Sequence, residues 1–224
     1  MVINPEKARK NFRIACDQYN SAKELIKEMS TYVQAVQKDF SYEKAMRQFD
    51  LVLQAILLRT ASEDGYFMDE EKQFIEKITD YADLMIYVSR KHKINVSWES
   101  FGLLEDEERK EVSLKILAEL DDLITNFVLP FAIVDAILPK DYCEEITEKM
   151  NLIGACLAGC DGDESDSSDF RNEMIVSFAL TQKTIKEKWT EIVAKANSKN
   201  NTAAKVHSGS RASSLKDVYL NKNR

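Results

Sequence analysis

Apolar side chains return along the first forty residues at one helical period. Ala8, Phe12, Ala15, Tyr19, Ala22, Leu25, Ile26, Met29, Val33 and Val36 fall three or four apart with charged residues between them. The pattern predicts a long first helix, with Pro5 in its first turn and its end near Phe40. Ser41 is placed to cap a second helix, whose apolar positions Phe49, Val52, Leu53, Ile56 and Leu57 keep the period until "SEDGYFMD" interrupts it. Asp69 is expected to cap a third helix running to about Arg90. In the connector "KHKINVSWESFGLLED", Trp98, Phe101 and Leu104 are expected to fold back on the core.

The segment "DEERKEVSLKILAELDDLITNF" then reads as an amphipathic helix whose acidic first turn complements the helix dipole. Pro130 and Pro139 predict a break or a kinked, short helix in the apolar run "LITNFVLPFAIVDAIL", because proline lacks an amide donor. Asp141 opens a helix carrying Tyr142, Ile146, Met150 and Ile153, and Asp166 opens a last one through Phe170, Met174, Phe178 and Ile185 to Trp189. No strand-like alternation flanked by turn signals occurs, so the expected class is all-α, a multi-helix globular bundle.

Composition narrows the functions open to such a bundle. The chain has 224 residues, 44% of them hydrophobic, which supplies a core without staples. Its net charge of -7 disfavours nucleic-acid binding by the body, which needs clustered Lys and Arg along a face. Four Cys (Cys16, Cys143, Cys156, Cys160) without a regular framework read as reduced thiols in a cytoplasmic protein. No secretory signal pattern opens the sequence, and the apolar run around Pro130 and Asp135 is too short and interrupted for a transmembrane segment. Six Gly form no phosphate-cradling loop, and two His, His92 and His207, leave little for a histidine metal site or a catalytic triad.

Charge is distributed unevenly. Residues 195–224 hold seven basic residues and one acidic, a net +6, so the chain's -7 leaves -13 on residues 1–194. This segment, polar and poor in apolar residues, is expected to be a disordered basic tail. Within it Leu215, Val218 and Tyr219 stand at helical spacing, a candidate docking turn.

Two acidic stretches echo one another. Asp64-Gly65 matches Asp161-Gly162, and Asp69 matches Asp166, at the same offset of 97. Each lies between an apolar helix and a second helix, giving two pseudo-repeated helix, acidic loop, helix units. A glycine of positive φ at a helix end and an aspartate cap account for Gly65, Gly162, Asp69 and Asp166; they leave Asp64, Asp161, Asp163 and Glu164 unexplained. The second loop places Asp161, Asp163, Ser165 and Asp169 at the first, third, fifth and ninth positions of an EF-hand. Asp166 stands at the turn glycine and Asn172 at the bidentate glutamate, so a strict EF-hand is not expected.

The stretch "AILLRTASEDGYFMDEEKQFIEKI", with Ala61, Asp64, Gly65, Asp69, Glu70, Glu71 and Lys72, resembles the signature of the tellurite-resistance TerB family. "LAGCDGDESDSSDF" would be its second copy, with Ser167, Ser168 and Asp169 where the family has Glu-Glu-Lys. The resemblance spans roughly Phe49 to Phe178. It implies an all-helical acidic module of chemical-stress and phage-resistance systems, with no established catalysis and with its two loops near one another.

Taken together, residues 1–40 are expected to form a long N-terminal helix on the body, 41–194 a TerB-like helical domain, and 195–224 the basic tail. The expected function is a non-enzymatic module that binds a protein partner. A divalent cation, calcium or magnesium, is an open expectation at Asp64, Asp69, Asp161, Asp163 and Asp166, against the alternative of solvated, capped loops. A purely structural scaffold and a carboxylate metallohydrolase are the rival readings. Cys156 and Cys160 read as buried small residues, with Gly154, Ala155, Ala158 and Gly159 on a close-packing face. His92 is expected at a helix end and Trp98 in the core.

Overall fold

The computed structural model describes residues 5–35, 37–62, 67–138, 140–158 and seven helical positions between 183 and 194. Among the described residues the protein is all-α. Its helices are α1 (Pro5–Gln34), α2 (Tyr42–Ala61), α3 (Asp69–Ile78), α4 (Leu84–His92), α5 (Trp98–Leu103), α6 (Asp106–Ile137) and α7 (Tyr142–Ala158).

The α1 stripe folds as its period dictates, burying Ala15, Tyr19, Ala22, Leu25, Ile26, Met29 and Val33. Its main partner is α7, joined to it at one end where the Tyr142 hydroxyl donates to Glu28 Oε1 at 2.6 Å and Lys140 Nζ donates to the same oxygen at 3.1 Å. The helix stops at Gln34, short of Phe40, and the chain turns through Gln37 N–H to Val33 O (2.8 Å) and Phe40 N–H to Gln37 O (3.0 Å). Ser41 then caps α2, its hydroxyl accepting from Lys44 N at 3.2 Å.

Fourteen of the 20 residues of α2 are buried, Asp50 and Gln54 included, so this helix is covered on nearly all sides and not only along one stripe. It packs against α1, α6 and α7, and an aromatic file crosses the core from Tyr19 through Phe49 and Phe127 to Phe131, with ring centroids 5.0 to 5.7 Å apart. Offset and tilted rings at this separation stabilise beyond their buried area. The connector closes one end as expected: Trp98 and Phe101 are buried and Phe67 packs on both.

Three further expectations change. Residues 69–90 are two helices, with Thr79 to Asp83 between them. The cause lies thirty residues away, because the buried polar side chains of α2 take the backbone amides of that break. The second change concerns Pro130, which sits inside a continuous α6 of 32 residues. One missing donor is outweighed there by burial of Ile124, Phe127, Val128, Phe131 and Val134 on both sides of it. The third is the start of α3: Met68 is its cap residue, with extended backbone (φ -82°, ψ 154°), and Asp69 is the first helical residue. Glu71 supplies the end bond, accepting from Met68 N–H at 2.8 Å.

No helix among the described residues is long and apolar enough to cross a membrane.

Candidate functional site

Of the five proposed cation ligands, Asp69 alone falls within the described residues. Its side chain is 84% exposed and lies 3.5 Å from Lys72 Nζ. Asp64, Asp161, Asp163 and Asp166 fall outside them, as do Gly65, Gly162, Cys160, the helix expected from Asp166, and the tail. The described residues contain no group of three or more His, Cys, Asp or Glu side chains disposed to hold a metal. Cys156 is buried, as is Gly154, whereas Ala155 is exposed, so the small-residue face is split between core and solvent.

The buried acids among the described residues are Asp50, Glu71, Glu119 and Asp135, and each has a local structural task. Asp50 Oδ2 accepts from three consecutive backbone amides, Asp80 (3.1 Å), Tyr81 (2.6 Å) and Ala82 (3.1 Å). Tyr19 donates its hydroxyl to Oδ1 at 2.7 Å. One turn along α2, Gln54 accepts from Leu84 N at 2.6 Å and donates to Ala82 O at 3.0 Å and to the Thr79 hydroxyl. Together Asp50 and Gln54 template the break between α3 and α4. Burial pushes the Asp50 carboxyl up to about 6, against the opposing pull of Tyr19 and the three amides. Burial, and then the Asp50 charge, raise Tyr19 as well, which keeps its hydroxyl a donor.

Asp135 does the corresponding task for α7. Its two carboxylate oxygens accept from Tyr142 N and Cys143 N, each at 2.9 Å, so an acid inside α6 caps the following helix across the turn. Asp141, expected to open α7, precedes its first residue and contributes its carbonyl to Glu145 N at 3.0 Å. At the end of α4, Glu119 Oε2 takes Lys91 Nζ, and Glu119 Oε1 lies 3.0 Å from His92 Nε2. Lys91, with His92 adding to it, holds the Glu119 carboxyl below its ordinary range despite burial. His92 is the last residue of α4, as expected, and its neighbour Lys93 turns left-handed at φ 55°. Asp121 and Asp122 are exposed.

What remains is a groove of about 440 Å³ between the end of α1, the start of α2 and the second half of α6. Leu129, Ile133 and Ile137, at i, i+4 and i+8, form an apolar ladder along α6, faced by Phe40 and Tyr32. Leu129 is 41% exposed, so the ladder is open to solvent. Gln37, Gln48 and Asn126 give it an uncharged polar rim, with Asp39 and Lys44 at one side. Pro130 lies in the wall, and its missing N–H removes the helical donor of the Asn126 carbonyl.

The chain matches no family model, no curated protein and no solved structure. The site therefore rests on its own geometry. Sequence reasoning passed over the groove because its apolar positions read as core, and over Asp50 and Gln54 because they sit in the apolar run "FDLVLQAILL". Two polar residues one turn apart in such a run were the available signal, as was Asp135 in "FAIVDAIL".

Proposed function

We propose that this protein is a cytoplasmic, non-enzymatic helical module of TerB-like type that binds a protein partner through the groove between α1, α2 and α6. The observation that carries this reading is the open ladder of Leu129, Ile133 and Ile137 above Phe40 and Tyr32, a surface suited to the apolar face of a helical or extended segment. The buried acids favour binding over acid–base chemistry, since each is occupied in holding a helix end or an ion pair.

Leu129→Arg places a charge on the open ladder without opening the core. Affinity capture is expected to recover a protein with the native chain that is lost, by about tenfold or more, with Leu129→Arg. It is expected to be retained with Leu103→Arg, at an 82% exposed leucine outside the groove. Equal capture by all three overturns the reading.

The cation belongs to the same proposal through the acidic loops around Asp64 and Asp161–Asp166. Carboxylates are the hard oxygen ligands that calcium or magnesium takes, and these two stretches are rich in them. Calorimetry is expected to show binding of one of these ions that weakens in Asp64→Asn and in Asp161→Asn. An absence of heat at millimolar cation removes the cation from the reading and leaves the groove standing.

A further inference from the structure

The α6 ladder presents apolar side chains at intervals of four, and an amphipathic helical turn with anchors three and four apart is the complementary shape. The sequence offers a candidate in the same chain: Leu215, Val218 and Tyr219 in "SSLKDVYLNKNR" are spaced three and one apart, with Leu220 beside them and the remaining positions polar. We propose that the occupant of the groove is this carboxy-terminal segment, docked in cis with Leu215, Val218 and Tyr219 against Leu129, Ile133 and Phe40. The inference rests on the groove being a docking surface, and makes the segment its resting occupant, which a partner displaces.

Three considerations support the segment over other occupants. The first is charge: residues 195–224 carry +6 against -13 on residues 1–194, so the segment is drawn to its own body. Reach is the second. The groove lies beside Leu138, just before α7, and α7 ends at Ala158, about 25 Å further on by helical rise. Leu215 is 57 positions beyond Ala158, and even at the helical rise of about 1.5 Å per residue a chain of that length reaches roughly 85 Å, enough to return. Tethering is the third: three apolar anchors bind weakly between separate molecules, but a tether supplies an effective concentration in the millimolar range. The segment also brings hydroxyl, amide and ammonium donors to a wall where Pro130 has withdrawn the helical donor of the Asn126 carbonyl.

The full chain tests this directly. With the photoreactive residue p-benzoylphenylalanine at position 219, irradiation is expected to join that position to residues 126–138 or 37–48 of the same molecule, located by peptide mass spectrometry. Leu129→Arg in the same chain is expected to lower the yield by about tenfold or more, because it forces a charge against the apolar anchors. Thermal melting of Leu129→Arg checks that the bundle is intact, and Leu103→Arg serves as a variant that leaves the yield unchanged. A crosslinked dimer makes a second copy the occupant and overturns the proposal. So does a crosslink elsewhere on the body, or none. If the crosslink is absent while Leu129→Arg still loses the captured partner, the cis occupant falls and the groove reading stands. If the crosslink forms but capture is indifferent to Leu129→Arg, the segment fills the groove and the partner binds elsewhere on the body.

Discussion

Asp50→Ala is expected to lower the unfolding free energy by about 3 to 5 kcal/mol, read from urea denaturation at pH 7. The loss is large because one substitution strands the amides of Tyr81 and Ala82, leaves Asp80 N–H with the Tyr19 hydroxyl alone at 3.2 Å, and leaves that hydroxyl without its acceptor. Asp50→Asn keeps one accepting oxygen and is expected to lose less. A change below about 1 kcal/mol for Asp50→Ala would show that the break between α3 and α4 does not depend on it. The pH dependence follows from the raised carboxyl. Asp50 titrates at about 6 in the folded protein and near 3.8 in the unfolded chain, so between these values the folded state holds a proton that the unfolded state releases. The contribution of this group to stability therefore increases as pH falls from about 6 to about 4, and is lost as pH rises through 6. Between pH 7 and 4.5 the gap between native protein and Asp50→Asn is expected to widen by roughly 2 kcal/mol. A gap that narrows contradicts the raised carboxyl. Glu119 has the opposite sign, its contribution being lost on acidification, which is why the Asp50 effect is read as a difference between two proteins.

Asp135→Ala is expected to cost about 2 to 4 kcal/mol, since both Tyr142 N–H and Cys143 N–H lose a buried acceptor at the start of α7. Asp135→Asn, which retains one oxygen, is expected to cost roughly half as much. Denaturant melts supply the total, and amide exchange locates it: Tyr142 and Cys143 are expected to exchange faster ahead of the rest of the bundle. The same substitution loosens the turn after Ile137, and Ile137 and Leu138 line the groove, so docking there is expected to weaken with it. Uniform exchange acceleration across α1 and α2 would assign Asp135 a general packing role in place of a cap.

Local pattern carried much of the fold. The α1 stripe, the Ser41 cap, burial of Trp98 and Phe101, and the core positions of α7 all follow from spacing within one element. The break at Thr79 to Asp83 does not, because its cause is a carboxylate thirty residues earlier whose role exists only once α2 lies alongside. Pro130 misled for a related reason: its cost is local, while the burial that outweighs it comes from other helices. Asp69 reads as a cap by residue type, yet Glu71 reaches back to the amide and leaves Asp69 exposed in the first turn. The groove was hidden among apolar positions that periodicity assigns to the interior, since a helical stripe does not say which of its members a neighbour covers. For the acidic loops, Asp69 is the one proposed ligand that the described residues include, and it faces solvent.

The break between α3 and α4 also bears on the order in which the chain assembles. Its own side-chain pattern favours uninterrupted helix from Asp69 to Arg90, and the interruption is imposed by α2 across a sequence separation of about thirty. Protection of the Asp80, Tyr81 and Ala82 amides from solvent hydrogen therefore reports docking of α2, a tertiary event, while the amides on either side report helix formation. Three neighbouring backbone positions thus act as a clock for assembly of the bundle, separate from the appearance of its helices.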